Sequence, residues 1–127
     1  MSDLNPWAQI VGRCYRRASL ARALGWTEDE VTAAAGSLQI LELLTDDDVL
    51  LYPEFQMNEG QPVEGLARVL EVLSTGTRSR WTWAQWLNSP FEDDSREPAP
   101  RAIERLRAGQ FDEVFRDAGH AAAAWRS

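Results

Sequence analysis

Half of the six tryptophans in this sequence, Trp81, Trp83 and Trp86, fall within "SRWTWAQWLNSP". Clustered aromatics can cage a cationic ligand, fill a core or present a face to another protein. Other chemistry-bearing residues are sparse. His120 is the only histidine and lies in an alanine-rich stretch with no partner spaced near it. That context suits a surface or partly packed residue better than a general base. Asp46, Asp47 and Asp48 stand together but lack the remaining ligands and central glycine of a calcium loop, so they read as a solvated turn. Cys14 is the only cysteine, which excludes an intrachain disulfide and, with one histidine, leaves no zinc-ligand set. Nothing has the context of a nucleophile elbow, a metal-binding HExxH or a glycine-rich phosphate loop. The expectation is a protein that is not an enzyme, with no metal and no cofactor. Arg13, Arg16, Arg17 and Arg22 are the candidates for gripping phosphates.

The elements that would position these residues are mostly helical. Asn5 and Pro6 suit the start of a helix carrying Trp7, Ile10, Val11 and Cys14 on one face. Cys14 then reads as a small core residue. Ser19 suits the cap of a short helix ended by Gly25. Thr27 and Glu30 form a capping box, with Trp26 and Val31 as the staple around it. Two short helices joined through a glycine make a helix-turn-helix pattern. Aliphatic runs at 40–44 and 49–52 flank the three aspartates and predict a hairpin, or wing. "QMNEGQP" reads as a loop. Pro62 opens a helix with Leu66, Val69, Leu70 and Leu73 on one face, stopped at Gly76.

In the tryptophan stretch, Thr82 and Gln85 suit an N-cap and its box partner, making Trp81 and Trp86 the staple pair. Trp83 and Leu87 then pair at i,i+4. A charged, proline-rich loop follows. "RAIERLRAG" is a helix with Ile103 and Leu106 inward and Gly109 at its end. A last helix carries Phe111, Val114, Phe115 and Ala118. The fold class is therefore mainly α. A helix-turn-helix with a short β-hairpin occupies residues 1–60, and a C-terminal helical module occupies 61–127, the two being expected to form one compact unit.

Charge narrows the partners. The net charge is −7, and residues 41–60 hold six acids and no base. Bulk charge does not draw this chain to nucleic acid; an acidic surface suits a basic protein partner. The reading helix begins "TEDEVTAAA", placing three acids where phosphate or base edges would arrive. A mainly structural helix-turn-helix and a weak, dimer-dependent operator binder both stay open. No apolar run is long enough to span a membrane, and the start carries no export signal, so a cytoplasmic protein is expected.

Three segments resemble the bacterial antitoxins that carry an Xre/ParS-type toxin-binding domain and pair with RES-domain toxins. They are "LARALGWTEDEV", "YPEFQM" with "GQPVEGLARVLEVL", and "WTWAQWLNSPFEDDSREPAPRAIERLRAGQFDEVFRDA". The last is similar to the family's C-terminal pattern in Trp86 and Leu87, Asn88 and Pro90, Pro98, Arg107 to Gly109, and Val114. Where the family usually has a Leu-Gly-Gly stretch, this chain has "DDSRE". The resemblance implies an antitoxin of a type II toxin–antitoxin pair that covers the active site of a NAD-consuming toxin. It implies Arg107, Gly109 and Phe111 as toxin contacts, with the end of the last helix. Trp125 and Arg126 are favoured interface types at a chain end; the alternative is a Trp folded back onto its own helix. The alternative function is a transcription regulator, since such antitoxins often repress their own operon.

Overall fold

A computed structural model describes residues 11–90 and 99–127. The expected helix start at Asn5 and Pro6, with Trp7 and Ile10, lies outside the described residues. So do Pro98 and most of the charged loop before the fifth helix.

Among the described residues the fold is mainly helical, with small sheets of three and two strands. Strand β1 (Cys14–Tyr15) leads directly into α1 (Arg17–Leu24), and α2 (Glu28–Gly36) follows after a tight turn. Gly25 makes that turn in the left-handed region at φ 73°, with Trp26 N–H closing back on Ala21 O at 2.9 Å. The Thr27–Glu30 capping box forms as expected: Thr27 N–H donates to Glu30 Oε1 at 2.9 Å, and Glu30 N–H donates to Thr27 Oγ1 at 3.1 Å. Trp26 packs on the cluster that holds Val31, Leu20, Ile40 and Tyr52.

Strands β2 (Leu43–Leu44) and β3 (Leu50–Pro53) form the expected hairpin around the three aspartates. Asp48 turns at φ 61°, and Thr45 Oγ1 accepts from Val49 N–H at 3.0 Å. β1 pairs with the other edge of β3, through Cys14 opposite Pro53 and Tyr15 opposite Tyr52, giving the order β1-β3-β2. A strand, two helices joined by a tight turn and a hairpin thus close on one three-stranded sheet.

Several local expectations are corrected. Cys14 is in a strand rather than on a helix, because Gly12 at φ 74° breaks the chain just before it and the exposed edge of β3 offers a partner. Arg16, not Ser19, precedes the first helix; it has extended geometry, and Leu20 N–H donates to its carbonyl at 2.9 Å. "QMNEGQP" is not a loop but a second hairpin, β4 (Met57–Asn58) with β5 (Gln61–Pro62). Its turn residues Glu59 and Gly60 both have positive φ, 53° and 80°, the signature of a tight primed turn. Consequently α3 starts after Gly65 and spans Leu66–Ser74, not from Pro62.

The tryptophan helix α4 runs Arg80–Leu87, and Ser79 caps it, its hydroxyl accepting from Thr82 N–H. Thr82 and Gln85 therefore lie inside the helix, and Trp81 and Trp86 are not a staple pair. Starting three residues earlier puts Trp83, Ala84 and Leu87 together on the buried face. It also lets the Trp81 indole N–H donate to Leu44 O in the wing at 2.9 Å. The expected Trp83 and Leu87 pairing is kept, with both in the main core.

Helices α5 (Ala102–Arg107) and α6 (Phe111–Arg126) complete the chain. α6 lies along α3, and α5 packs on both α4 and α6. One core joins Leu41, Leu43 and Phe55 from before residue 60 to Leu66, Leu70, Leu87, Ile103 and Val114 from after it. Gln56 is fully buried within this junction. Its amide accepts from Leu41 N–H at 2.7 Å and donates to Leu41 O at 2.9 Å, doing for that residue what a neighbouring strand would.

Candidate functional site

Three surfaces hold the residues singled out by sequence. The first is formed by α2 and the β2–β3 hairpin, the elements that the expected helix-turn-helix and wing comprise. Glu28, Asp29 and Glu30 stand exposed at the start of α2, and Asp46, Asp47 and Asp48 are exposed at the wing tip. No arginine or lysine occurs between Arg22 and Arg68, so neither element carries a base. The C-terminal end of α2 is occupied from within: Arg80 donates to Ala35 O at 3.4 Å while its guanidinium sits 5.8 Å from the Trp83 ring centre.

The proposed phosphate-gripping set divides. Arg17 turns toward α2, donating to Thr32 Oγ1 at 3.0 Å and lying 3.9 Å from Glu28. It ties the two helices together. Arg22 is exposed and reaches Ser19 Oγ at 3.4 Å. Arg16 is exposed, and Arg13 is exposed at the entry to β1.

The proposed toxin-contact set divides as well. Arg107, at the end of α5, donates to Phe55 O across the junction between the winged unit and the C-terminal helices. Burial, and then the neighbouring Arg101 charge, lower its pKa. Gly109 turns the chain at φ 84° with open space around it. Phe111 is half-buried, stacked on Phe115 at 6.1 Å between ring centres and close against Gly65. Trp125 is half-buried against the main core, and Arg126 donates to Thr75 Oγ1 at 3.0 Å. A helical rise of about 1.5 Å per residue puts Phe111 and Trp125 at opposite ends of α6. The five residues therefore form no single patch.

What the structure does gather, and the sequence did not suggest, is a cleft of about 500 Å³ at the junction. Arg13 and Arg107, assigned to different roles by sequence, both line it, together with Arg101. Arg101 holds Glu104 by its own N–H at 2.8 Å and by its Nε at 3.1 Å, and also donates to Asn88 Oδ1. Those Arg101 bonds pull the Glu104 carboxyl below its ordinary value. No short-range pattern could have revealed this convergence, because Arg13 lies far along the chain from Arg101 and Arg107, which stand at the two ends of one short helix.

Nearby polar groups are structural. Arg105 is buried and held by Gln110 Oε1 at 3.2 Å, with Asp117 and Glu113 each at 3.4 Å. His120 is exposed on α6. Cys14 is partly buried, and that burial, with Glu54 beside it, pushes its thiol up to about 11. Among the described residues no group of three or more His, Cys, Asp or Glu side chains is placed to hold a metal ion, and no helix is long and apolar enough to cross a membrane.

No family model and no curated protein matches the chain. A solved structure, the NMR structure of Rv2175c, is similar, with 23% sequence identity and a TM-score of 0.72. The match covers 96% of this chain and 86% of that one. At this identity the likeness establishes a shared fold.

Proposed function

We propose that the protein works by binding another protein, as an antitoxin that neutralises a NAD-consuming RES-type toxin by covering its active site. The observation that carries the reading is electrostatic. The two elements that a winged helix would offer to DNA carry six exposed acids and no base. A phosphate backbone is repelled by such a face, whereas a basic protein surface is attracted to it. The resemblance of the C-terminal helices to toxin-binding domains supplies the partner class. Phe111, Trp125 and Arg126 remain partly accessible on α6 and are the contacts this reading uses.

Co-expression with the protein encoded beside it tests the proposal. The expected result is a complex that survives size-exclusion chromatography, with growth and cellular NAD restored. Two proteins that elute separately, with no protection, sink it.

A second reading, a transcription regulator acting as a homodimer on its own operator, is favoured by the strand order β1-β3-β2 around a helix-turn-helix. Arg13, Arg16 and Arg22 would supply phosphate contacts beside the acidic face. A gel shift on the upstream DNA at physiological salt tests it. Specific retardation that disappears in an Arg16→Gln, Arg22→Gln variant supports it, and no retardation at micromolar protein rejects it.

A further inference from the structure

The junction cleft has the chemistry of an anion site. Its three arginines come from two stretches: Arg13 before β1, and Arg101 and Arg107 at the two ends of α5. Arg13's guanidinium makes no hydrogen bond or ion pair among the described residues. Arg107 is bonded to Phe55 O, which leaves most of the five N–H donors of a guanidinium to be placed. Arg101 is already bound to Glu104 and Asn88; even so, the charges of Arg101 and Arg107 disfavour each other, and Glu104 offsets only part of that. Holding like charges together costs energy that a bound anion offsets. The rest of the wall is of another kind. Tyr15, Phe55 and Met57 give it aromatic and thioether surface, and Glu54 and Glu59 give it acceptors.

We propose that this cleft binds a phosphate monoester of mononucleotide size. The phosphate lies among Arg13, Arg101 and Arg107, whose planar forks match its oxygens. The flat part of the ligand lies against the Tyr15 and Phe55 wall, and its hydroxyl or N–H groups donate to Glu54 or Glu59. The volume suits such a ligand, since small-molecule sites span roughly 300–1,000 Å³. The two glutamates disfavour a polyphosphate chain. The acidic face of the same winged unit disfavours nucleic acid, whose many phosphates would extend beyond the cleft. A single phosphate stays within reach of the arginines, and at physiological salt the distant acids are screened beyond about 8 Å. The site does not depend on the toxin reading, and either can fail without the other.

Titration of the isotope-labelled full chain, followed by amide NMR shifts, tests the proposal with AMP, adenosine, inorganic phosphate and a short DNA duplex as probes. AMP is expected to shift amides around the cleft and to saturate with a Kd of about 1 mM or tighter. Phosphate should move the arginine side of the same set more weakly, and adenosine should bind more weakly than AMP. Arg13→Gln, which removes an exposed guanidinium unpaired among the described residues, should raise the Kd for AMP about tenfold. Arg22→Gln, which removes an exposed arginine outside the cleft, should leave it unchanged. The proposal is overturned if AMP gives no saturable shift up to about 10 mM. It is equally overturned if both variants weaken AMP alike, or if the duplex shifts the cleft amides and AMP does not.

Discussion

A side-chain carbon built on Gly76 would stand 2.5 Å from Cα and from the carbonyl oxygen of Ala122. The end of α3 and the last turns of α6 thus meet backbone to backbone, with Ala122 buried in the contact. Gly76 is needed for space here, since its φ is not in the left-handed region.

Gly76→Ala should therefore destabilise the fold by about 1–3 kcal/mol, because the helices must separate to admit one methyl group. Urea unfolding followed by circular dichroism measures this. Gly36→Ala is the comparison: that helical glycine faces open space, and its variant should be neutral or slightly stabilising.

Gln56→Ala should cost about 2–4 kcal/mol, since it strands both the N–H and the carbonyl of Leu41 in a buried setting. Gln56→Glu should be costly too at neutral pH. It removes the donor to Leu41 O and buries a charge. Thermal melts at pH 7 and pH 4 separate the two effects, with part of the Gln56→Glu loss recovered at the lower pH as the carboxyl is protonated.

Trp81→Phe keeps an aromatic ring but removes the indole N–H that reaches the wing at Leu44 O. Its cost should be small, about 1 kcal/mol. Faster hydrogen exchange should be confined to the wing strands and α4. Exchange that quickens uniformly over the chain would show that Trp81 acts on global stability instead.

Cys14 should react slowly with iodoacetamide in the folded protein at pH 9 and at full rate in urea. Its thiol is held up at about 11 against 9.0 for the free group. The sign for stability follows from the same values. Below pH 9 both states keep the proton and the contribution is fully present. As pH rises from 9 toward 11 the unfolded thiol ionises first, so stability falls through that window. Cys14→Ser should flatten this part of the pH–stability curve. A curve of unchanged slope in that variant would assign the loss to other groups.

Much of the fold was legible from local patterns. The Thr27 and Glu30 box, the Gly25 turn and the aspartate-tipped hairpin each rest on interactions within a few residues, so their side-chain chemistry is decisive wherever they occur. The second hairpin, by contrast, reads as a loop in the sequence, because its two-residue strands flanking the Asn-Glu-Gly turn are too short to show alternation. Errors arose where a local option competed with a distant partner. Thr82 is a sound cap in isolation, yet Ser79 caps the helix because the earlier start buries Trp83 and delivers Trp81 to the wing. Cys14 matches a helical stripe, yet it pairs with Pro53.

The sequence by itself determined the helical class, the two short helices joined at Gly25 and the acidic charge of the second helix and the aspartate hairpin, because composition and spacing suffice for these. Only the tertiary structure decided that β1 closes the winged sheet, that Arg17 is turned inward, and that Arg13, Arg101 and Arg107 share one cleft. Those outcomes depend on which surfaces the core brings together. Contacts between residues dozens of positions apart leave no periodic trace in a single chain.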